Sequence, residues 1–418
     1  MGSCGYFKAK VSTPPKCRDI NLIIPLPRRN EDSAILFETG RLVSVDRVRG
    51  LVMVLMALDH VRWFFTDEAY SPTDLQHTHP ALFFTRWATH FCAPAFVFLA
   101  GAGAFLFTTR GTGRPALVRF LLARGLWLVL LELTLVHWAW TFRLNFQGIH
   151  LGVLWAIGWS MVALAGLVYL PRLLMAILAL VLIGGHDLAD GLNLDDFRDS
   201  GGGLSGMGWL VSFLHIPHAP VLYPLIPWVG VMMAGYAFGP LLLVQDKARR
   251  RALAAGGITL VAAFIALRAS NVYGDPRPWS LQPDPVFSVL SFLNTGKYPP
   301  SLLYLLMTLG PILLALAWSP EKAGPVSRFL VVFGRAPLFF YLAHLYLIHG
   351  LVLLVAAVQG REVAAFLASF SRFPDAWGFG LPAVYGFWLA VILILYLPCR
   401  NLARIKARHR GRGWTGYI

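Results

Sequence analysis

The sequence predicts an all-α polytopic membrane protein, a bundle of about ten transmembrane helices. Three observations predict it. Of 418 residues, 57% are hydrophobic and only 14% are charged, where a soluble domain carries roughly 25% charge. The mean hydropathy is +0.61. The apolar residues gather into runs close to the ~20 residues that a bilayer-spanning helix requires. Length alone would allow two or three soluble domains, but this hydropathy argues for one membrane bundle.

The third observation is how the charge is sorted. Formal net charge is +15. A nucleic-acid binder would gather that charge on one folded surface; here it lies in short loops and tails between apolar runs, which is a topology signal. With the N-terminus in the cytosol, the cytosolic side holds 27 Lys and Arg against 7 Asp and Glu. The opposite side holds 9 against 13, and Glu132 is left inside a helix. This asymmetry predicts ten spans with both termini cytosolic. Its strongest inside markers are Arg110 to Arg124, Lys247 to Arg251, and Arg400 to Arg412. Cys4, Cys17, Cys92 and Cys399 have neither metal spacing nor a disulfide framework. The first 40 residues contain no secretory h-region, so the first membrane helix is expected to serve as the targeting signal.

Residues 1–40 read as a cytosolic tail, 41–402 as the membrane domain and 403–418 as a basic cytosolic tail. The apolar segments are 47–65, 84–107, 118–140, 148–169, 172–186, 221–243, 252–269, 299–318, 336–357 and 382–400. The fifth is short, and short or interrupted segments can line a cavity. The first begins with Ser44, a candidate helix cap, and with Asp46, Arg47 and Arg49, which could meet a phosphorylated ligand or anionic lipid. Asp59 and His60 lie 13 and 14 residues beyond Asp46. That places Asp59 roughly 20 Å along the helix, where a carboxylate needs a partner. Arg62, Arg86 and His90 are the candidates.

The chain is organised around Leu75 to Phe107, where histidines and an arginine enter a smooth apolar helix interrupted by Pro94. Titratable groups at the mouth of a membrane helix point to function. His77 and His79 with an acidic neighbour are too few for zinc, which asks for about three or four convergent ligands. A general base needs only one imidazole and a group to fix its tautomer. Glu132 and His137 lie in the third segment, and Gln147 and His150 start the fourth. A deep Glu132 is paired, protonated or faces water; a helix–helix hydrogen bond is the plain alternative.

The loop 187–220 is rich in Asp but lacks the EF-hand order. It reads as a flexible loop with an interfacial segment near Met207 to His218. Pro217, Pro220, Pro224 and Pro227 make the next entry irregular. Lys297 and Tyr298 are accounted for by snorkelling and the aromatic belt. His344 lies nine residues beyond Arg335 and shares a face with Tyr341, so it suits a cavity better than His349.

Five stretches resemble the family of heparan-alpha-glucosaminide N-acetyltransferase catalytic-domain proteins. They are SVDRVRGLVMVLMALDHVR (44–62), FFTRWATHFCAPAFVFLAGAGAFL (83–106), YPLIPWVGVMMAGYAFG (223–239), KYPPSLLYLLMTLGP (297–311) and GRAPLFFYLAHLYLIHG (334–350). The resemblance implies a bundle of the transmembrane acyltransferase type, from a bacterial branch. It implies an acetyl group moving from cytosolic acetyl-CoA to an amino sugar on the far side. The family's catalytic histidine, about 14 residues before the second-helix proline, falls at His79. Its polar residue near the outer end of helix one falls at Asp59, where sugar enzymes of the group often carry Asn. His90 stands where an Asp is typical.

These features together predict a membrane acyltransferase in the bacterial cytoplasmic membrane, using acetyl-CoA or another acyl-CoA. The acceptor is expected to be a hydroxyl or amine on an extracytoplasmic or lipid-linked sugar, and the resemblance implies a homodimer. Membrane lipids are the other expected partners; nucleic acid and a resident metal are not expected. His79 would act on the acceptor, with Asp59 or His90 orienting it. Arg47, Arg49 and Arg335 would contact CoA phosphates. The alternatives are a proton-coupled transporter that relays through Glu132 and His344, and a non-catalytic assembly or lipid-binding protein. Topology is testable directly. In a cysteine-free background, an impermeant thiol reagent on intact cells should label His79→Cys and spare Arg249→Cys; the opposite pattern would invert the predicted orientation.

Overall fold

The computed structural model describes residues 42–409 apart from 110, 112, 144–147, 320–323, 368–372 and 375–376. The expected tail 1–40, Cys4, Cys17, Arg110, Gln147 and the basic residues from 410 onward lie outside the described residues. Helix covers each of the ten apolar segments. Among the described residues, β-structure is limited to isolated bridges.

The first helices are α1 (Val43–Phe65), α2 (Pro80–Ala88), α3 (Cys92–Thr108) and α4 (Gly113–Leu131). A π-helical turn, Glu132–Val136, carries α4 into α5 (His137–Thr141). Then come α6 (Val153–Leu167), α7 (Arg172–Gly185), α8 (Gly206–Leu214), α9 (Leu225–Phe238) and α10 (Asp246–Ser270). The last are α11 (Pro285–Leu293), α12 (Leu302–Ala317), α13 (Pro325–Arg335), α14 (Pro337–Val358) and α15 (Leu381–Arg408).

By length and composition, six helical stretches among the described residues can cross a membrane. They are Pro80–Thr108, Arg172–Ala189, Leu225–Leu243, Asp246–Ser270, Pro337–Val358 and Leu381–Arg408. The chain is therefore an all-α, polytopic membrane protein. α6 and α12 are apolar but shorter. α1 and α4 are interrupted by charge: Arg49, Asp59 and Arg62 in the first, Arg114, Arg119 and Arg124 in the second.

Bare backbone sets the closest crossings. A Cβ on Gly101 would lie 2.0 Å from the Met232 carbonyl oxygen, and one on Gly235 2.0 Å from that of Phe98. α3 and α9 thus meet glycine to glycine. α1 and α13 do the same: a Cβ on Gly50 would lie 1.8 Å from the Leu330 oxygen, and one on Gly334 1.8 Å from that of Asp46. Without a hydrophobic drive between helices in lipid, such contact supplies packing that larger residues would prevent. α1 also packs against α3, α14 and α15. It is stitched to the last helix by Trp388 Nε1–H donating to the Val54 carbonyl at 2.9 Å.

Several local expectations are corrected. Ser44 does not cap α1; Leu42 is the N-cap residue, and no side chain bonds there. The cluster Lys247 to Arg251 is not a loop but the first turns of α10. Asp246 at the positive helix start, ion-paired with Arg249, explains the earlier boundary. α15 runs on to Arg408, so the basic tail begins as helix. α13 was not foreseen, because its continuous apolar run, 329–333, is only five residues long and lies between Arg328 and Arg335.

Arg268, at the end of α10 and 1% exposed, locks the segment that follows. Its guanidinium donates to the carbonyls of Arg277 at 2.8 Å and of Ser291, Phe292 and Asn294 at 3.0 Å. The last three are carbonyls at the end of α11, where the helix itself supplies few donors. Asp275 lies 3.8 Å from Arg268 and accepts from Gly296 N–H at 2.6 Å and Ser301 Oγ at 2.7 Å. Arg268→Met should therefore destabilise the detergent-solubilised protein by about 3–5 kcal/mol, read as a fall in the thermal unfolding midpoint. Arg268→Lys should recover only part of it, since an ammonium cannot reproduce the fork.

Candidate active site

A cavity of about 680 Å³ opens at the Phe65 end of α1. Met56, Ala93 and Phe96 are among its apolar lining, while Asp59, His60, Arg62, Arg86, Lys297 and Tyr298 contribute polar groups. Glu68 and Tyr70, from the loop after α1, also line it. The hydrogen bond to Glu68 pushes the Tyr70 phenol up to about 12.

Asp59 is the charged centre. Its Oδ1 accepts from Arg62 Nη2 at 3.0 Å, one turn along the same helix. Its Oδ2 accepts from Arg86 Nη1, presented by α2. Two of the three partners expected from the sequence are therefore in place. A lone carboxylate at this depth would be costly; two guanidinium groups offset its desolvation and leave a local excess of positive charge. Arg86 is itself steadied by Thr89, whose hydroxyl lies 3.4 Å from Nη1 and donates to the Arg86 carbonyl at 2.7 Å.

Beside Asp59, His60 turns Nδ1 toward His344 Nε2 at 2.6 Å. The ring planes lie 14° from parallel with centroids 4.9 Å apart, so the rings meet edge to edge, nitrogen to nitrogen. His344 Nδ1 lies 2.8 Å from the Phe340 carbonyl oxygen. His344 is fully buried, whereas His60 reaches the cavity. His344, expected from the sequence to suit a cavity, lies behind the lining and reaches it only through His60, to which the sequence assigned no role. Adjacency to Asp59 was the only sequence signal for it; the pairing joins residues 284 positions apart.

The other expected residues are dispersed. His79 is the N-cap of α2: its Nδ1 accepts from Leu82 N–H at 3.4 Å, and Nε2 lies 3.9 Å from Glu68 Oε1. Its side chain is 46% exposed and is not part of the cavity lining. His90 is buried, with Nδ1 lacking a hydrogen-bond partner among the described residues. It lines a second cavity of about 430 Å³ together with Asp187, Asp190 and Arg277. Arg86, Lys297 and Tyr298 line both cavities. Lys297 is thus turned into the protein, over the Tyr298 ring at 5.2 Å, and the snorkelling expectation is corrected.

Glu132 also lines the first cavity, but both oxygens are used: Gly152 N–H donates at 3.1 Å and Leu154 N–H at 3.0 Å. It holds the start of α6, the structural alternative weighed above. His77 bonds Asp74 at 2.7 Å on the surface, which lowers the Asp74 carboxyl. Among the described residues, no three His, Cys, Asp or Glu side chains converge to hold a metal.

Of Arg47, Arg49 and Arg335, the last two meet on Asp46 at the opposite end of α1. Arg335 Nε meets Asp46 Oδ2 at 3.2 Å, and Arg49 Nη1 meets Asp46 Oδ1 at 3.4 Å. Arg47 donates to Ser327 Oγ at 2.6 Å and to Ser319 Oγ.

The described residues thus form a helical bundle with a charged chamber and a basic cluster at opposite ends of one helix. The chain belongs to the heparan-alpha-glucosaminide N-acetyltransferase catalytic family, whose model matches residues 41–273. That membership supports enzymatic activity of the transferase kind. Among curated proteins, none matches the chain significantly. The matched region supplies Asp59, His60, Arg62 and Arg86; Lys297, Tyr298 and His344 come from beyond it. If Asp59 and Arg86 form one charged unit, Asp59→Asn and Arg86→Gln should be strongly non-additive. A double-mutant cycle on unfolding midpoints should give a coupling of about 1–3 kcal/mol; additive losses would contradict the pairing.

Proposed function

We propose that the protein is a membrane-embedded acyltransferase that moves an acetyl or other acyl group from cytosolic acyl-CoA to an extracytoplasmic or lipid-linked sugar. One observation carries this beyond family membership. A single helix, α1, holds a basic cluster at one end and the charged chamber at the other. Twelve residues separate Arg47 from Asp59, roughly 18 Å of helix, a span of the order of an extended phosphopantetheine arm. A nucleotide held by arginines at the Arg47 end could thus present a thioester near Asp59.

The arginine end suits phosphates because a guanidinium donates in a planar fork. Phosphate oxygens would take the place of the Ser319 and Ser327 hydroxyls on Arg47, while Asp46 keeps Arg335 and Arg49 in position. In the chamber, Arg86 and Arg62 offer positive charge toward an oxyanion that develops on the acyl carbonyl. Met56, Ala93 and Phe96 give the acyl group an apolar floor. The reading entails ten spans, both termini in the cytosol of a bacterium, and an acceptor entering past Glu68 and Tyr70. A homodimer remains part of the proposal through family resemblance. The transporter alternative has less support, since Glu132 is bonded to the α6 backbone and His344 to His60.

Reconstituted protein supplied with acetyl-CoA and a panel of mono- and disaccharides should release CoA thiol and acetylate a sugar. Arg47→Ala should raise KM for acetyl-CoA about tenfold, the loss of ~1.4 kcal/mol of binding, and change kcat little. Absence of CoA binding by calorimetry, with no thioester cleavage, would remove the assignment.

A further inference from the structure

We infer that His60 is the general base of the chamber and that His344 is a positioning residue that fixes its tautomer; this rests on the acyl-transfer function proposed above. The geometry assigns the protons. The Phe340 carbonyl can only accept, so the 2.8 Å contact puts a hydrogen on His344 Nδ1. In a neutral ring Nε2 is then an acceptor. His60 Nδ1, 2.6 Å away, must carry the hydrogen that fills it. The lone pair of His60 therefore lies on Nε2. That atom has no hydrogen-bond partner among the described residues, and the ring lines the chamber. Trp140 and Tyr341 meet the ring edge-on at 5.3 and 6.4 Å between centroids, which limits its rotation.

A general base needs a free lone pair, a fixed orientation and access to the reacting atom. His60 meets these conditions with an imidazole in the orienting place often taken by a carboxylate. Asp59 is adjacent in sequence but is committed to Arg62 and Arg86. His79 meets fewer conditions: its Nδ1 caps α2, and it does not line the chamber.

The step balances without any further reactant. The acceptor O–H or N–H gives its proton to His60 Nε2 as its oxygen or nitrogen bonds to the thioester carbonyl carbon. The tetrahedral intermediate collapses with C–S cleavage. The imidazolium then returns that proton to the departing thiolate, leaving acylated acceptor and CoA thiol.

The test uses full-length protein in nanodiscs, acetyl-CoA as donor, and water or the sugar panel as acceptor. His60→Ala should lower kcat about 10³-fold, within the range for loss of a general base, with KM for acetyl-CoA within about threefold. Added imidazole should restore part of the rate. His344→Leu should lose about 10²-fold, because an unheld ring populates the wrong tautomer. His344→Gln, which keeps an acceptor for His60 Nδ1–H, should stay within about tenfold of wild type. A wild-type rate in His60→Ala, with activity abolished in His79→Ala, would overturn the assignment and leave acyl transfer standing. Equal rates in His344→Leu and wild type would overturn the positioning role. No thioester cleavage by wild type would remove both proposals. Should His60→Ala fail to fold, nitrogen-15 solid-state NMR of the wild type decides: a hydrogen on His60 Nε2 instead of Nδ1 would overturn the inference.

Discussion

The half-buried carboxylate of Asp59, set in the wall of the helical bundle, is the constraint on which the chamber depends. A carboxylate placed there without partners would be too costly to hold in place. Arg62 reaches it from the same helix, and Arg86 from α2. The second contact is the consequential one, since it ties the loop-entry helix to α1 and fixes one wall of the cavity. The pair of guanidiniums leaves the chamber locally positive, which suits a reaction that develops negative charge on oxygen.

Holding that wall requires precision elsewhere in the bundle. α1 is pressed against α13 at Gly50 and Gly334, and α3 against α9 at Gly101 and Gly235. These crossings fix helix separation by backbone contact instead of by side-chain volume. The Asp46–Arg335 pair sits beside the first crossing. One helix thus carries an ion pair near each end, buried at Asp46 and half-buried at Asp59, the two separated by the apolar residues 51–58.

The remaining wall comes from the segment after α10. Arg268 gathers four carbonyls of that segment, and Asp275 gathers the Gly296 amide and the Ser301 hydroxyl. Lys297 and Tyr298 are delivered between the two cavities as a result. A remote buried arginine therefore sets where a chamber lysine stands. Arg86, Lys297 and Tyr298 form a shared partition, so a ligand in one cavity would alter the surroundings of a group in the other.

The amino-acid sequence already settles the class of protein. The apolar runs, the paucity of charge and the family-like stretches follow from composition and local order, and helix covers each run. It also determined that Asp59 needed a cationic partner and named Arg62 and Arg86, because the cost of a membrane-buried charge leaves few options nearby. Local periodicity could not separate a charged loop from the first turns of α10, or reveal the amphipathic α13. The fold decides which histidines line the chamber: His60, His137 and His150 do, and His79 does not. His79 looked right by its place in a loop, yet it caps a helix outside the lining. His60 looked like a neighbour of Asp59, yet its Nδ1 meets Nε2 of His344, 284 positions further along the chain. Glu132 is held by the start of α6, and Lys297 is turned inward by a loop that Arg268 pins. The physical reason is the same in each case: a hydrogen bond or ion pair between distant segments is set by how helices cross, which residue spacing along one segment does not encode.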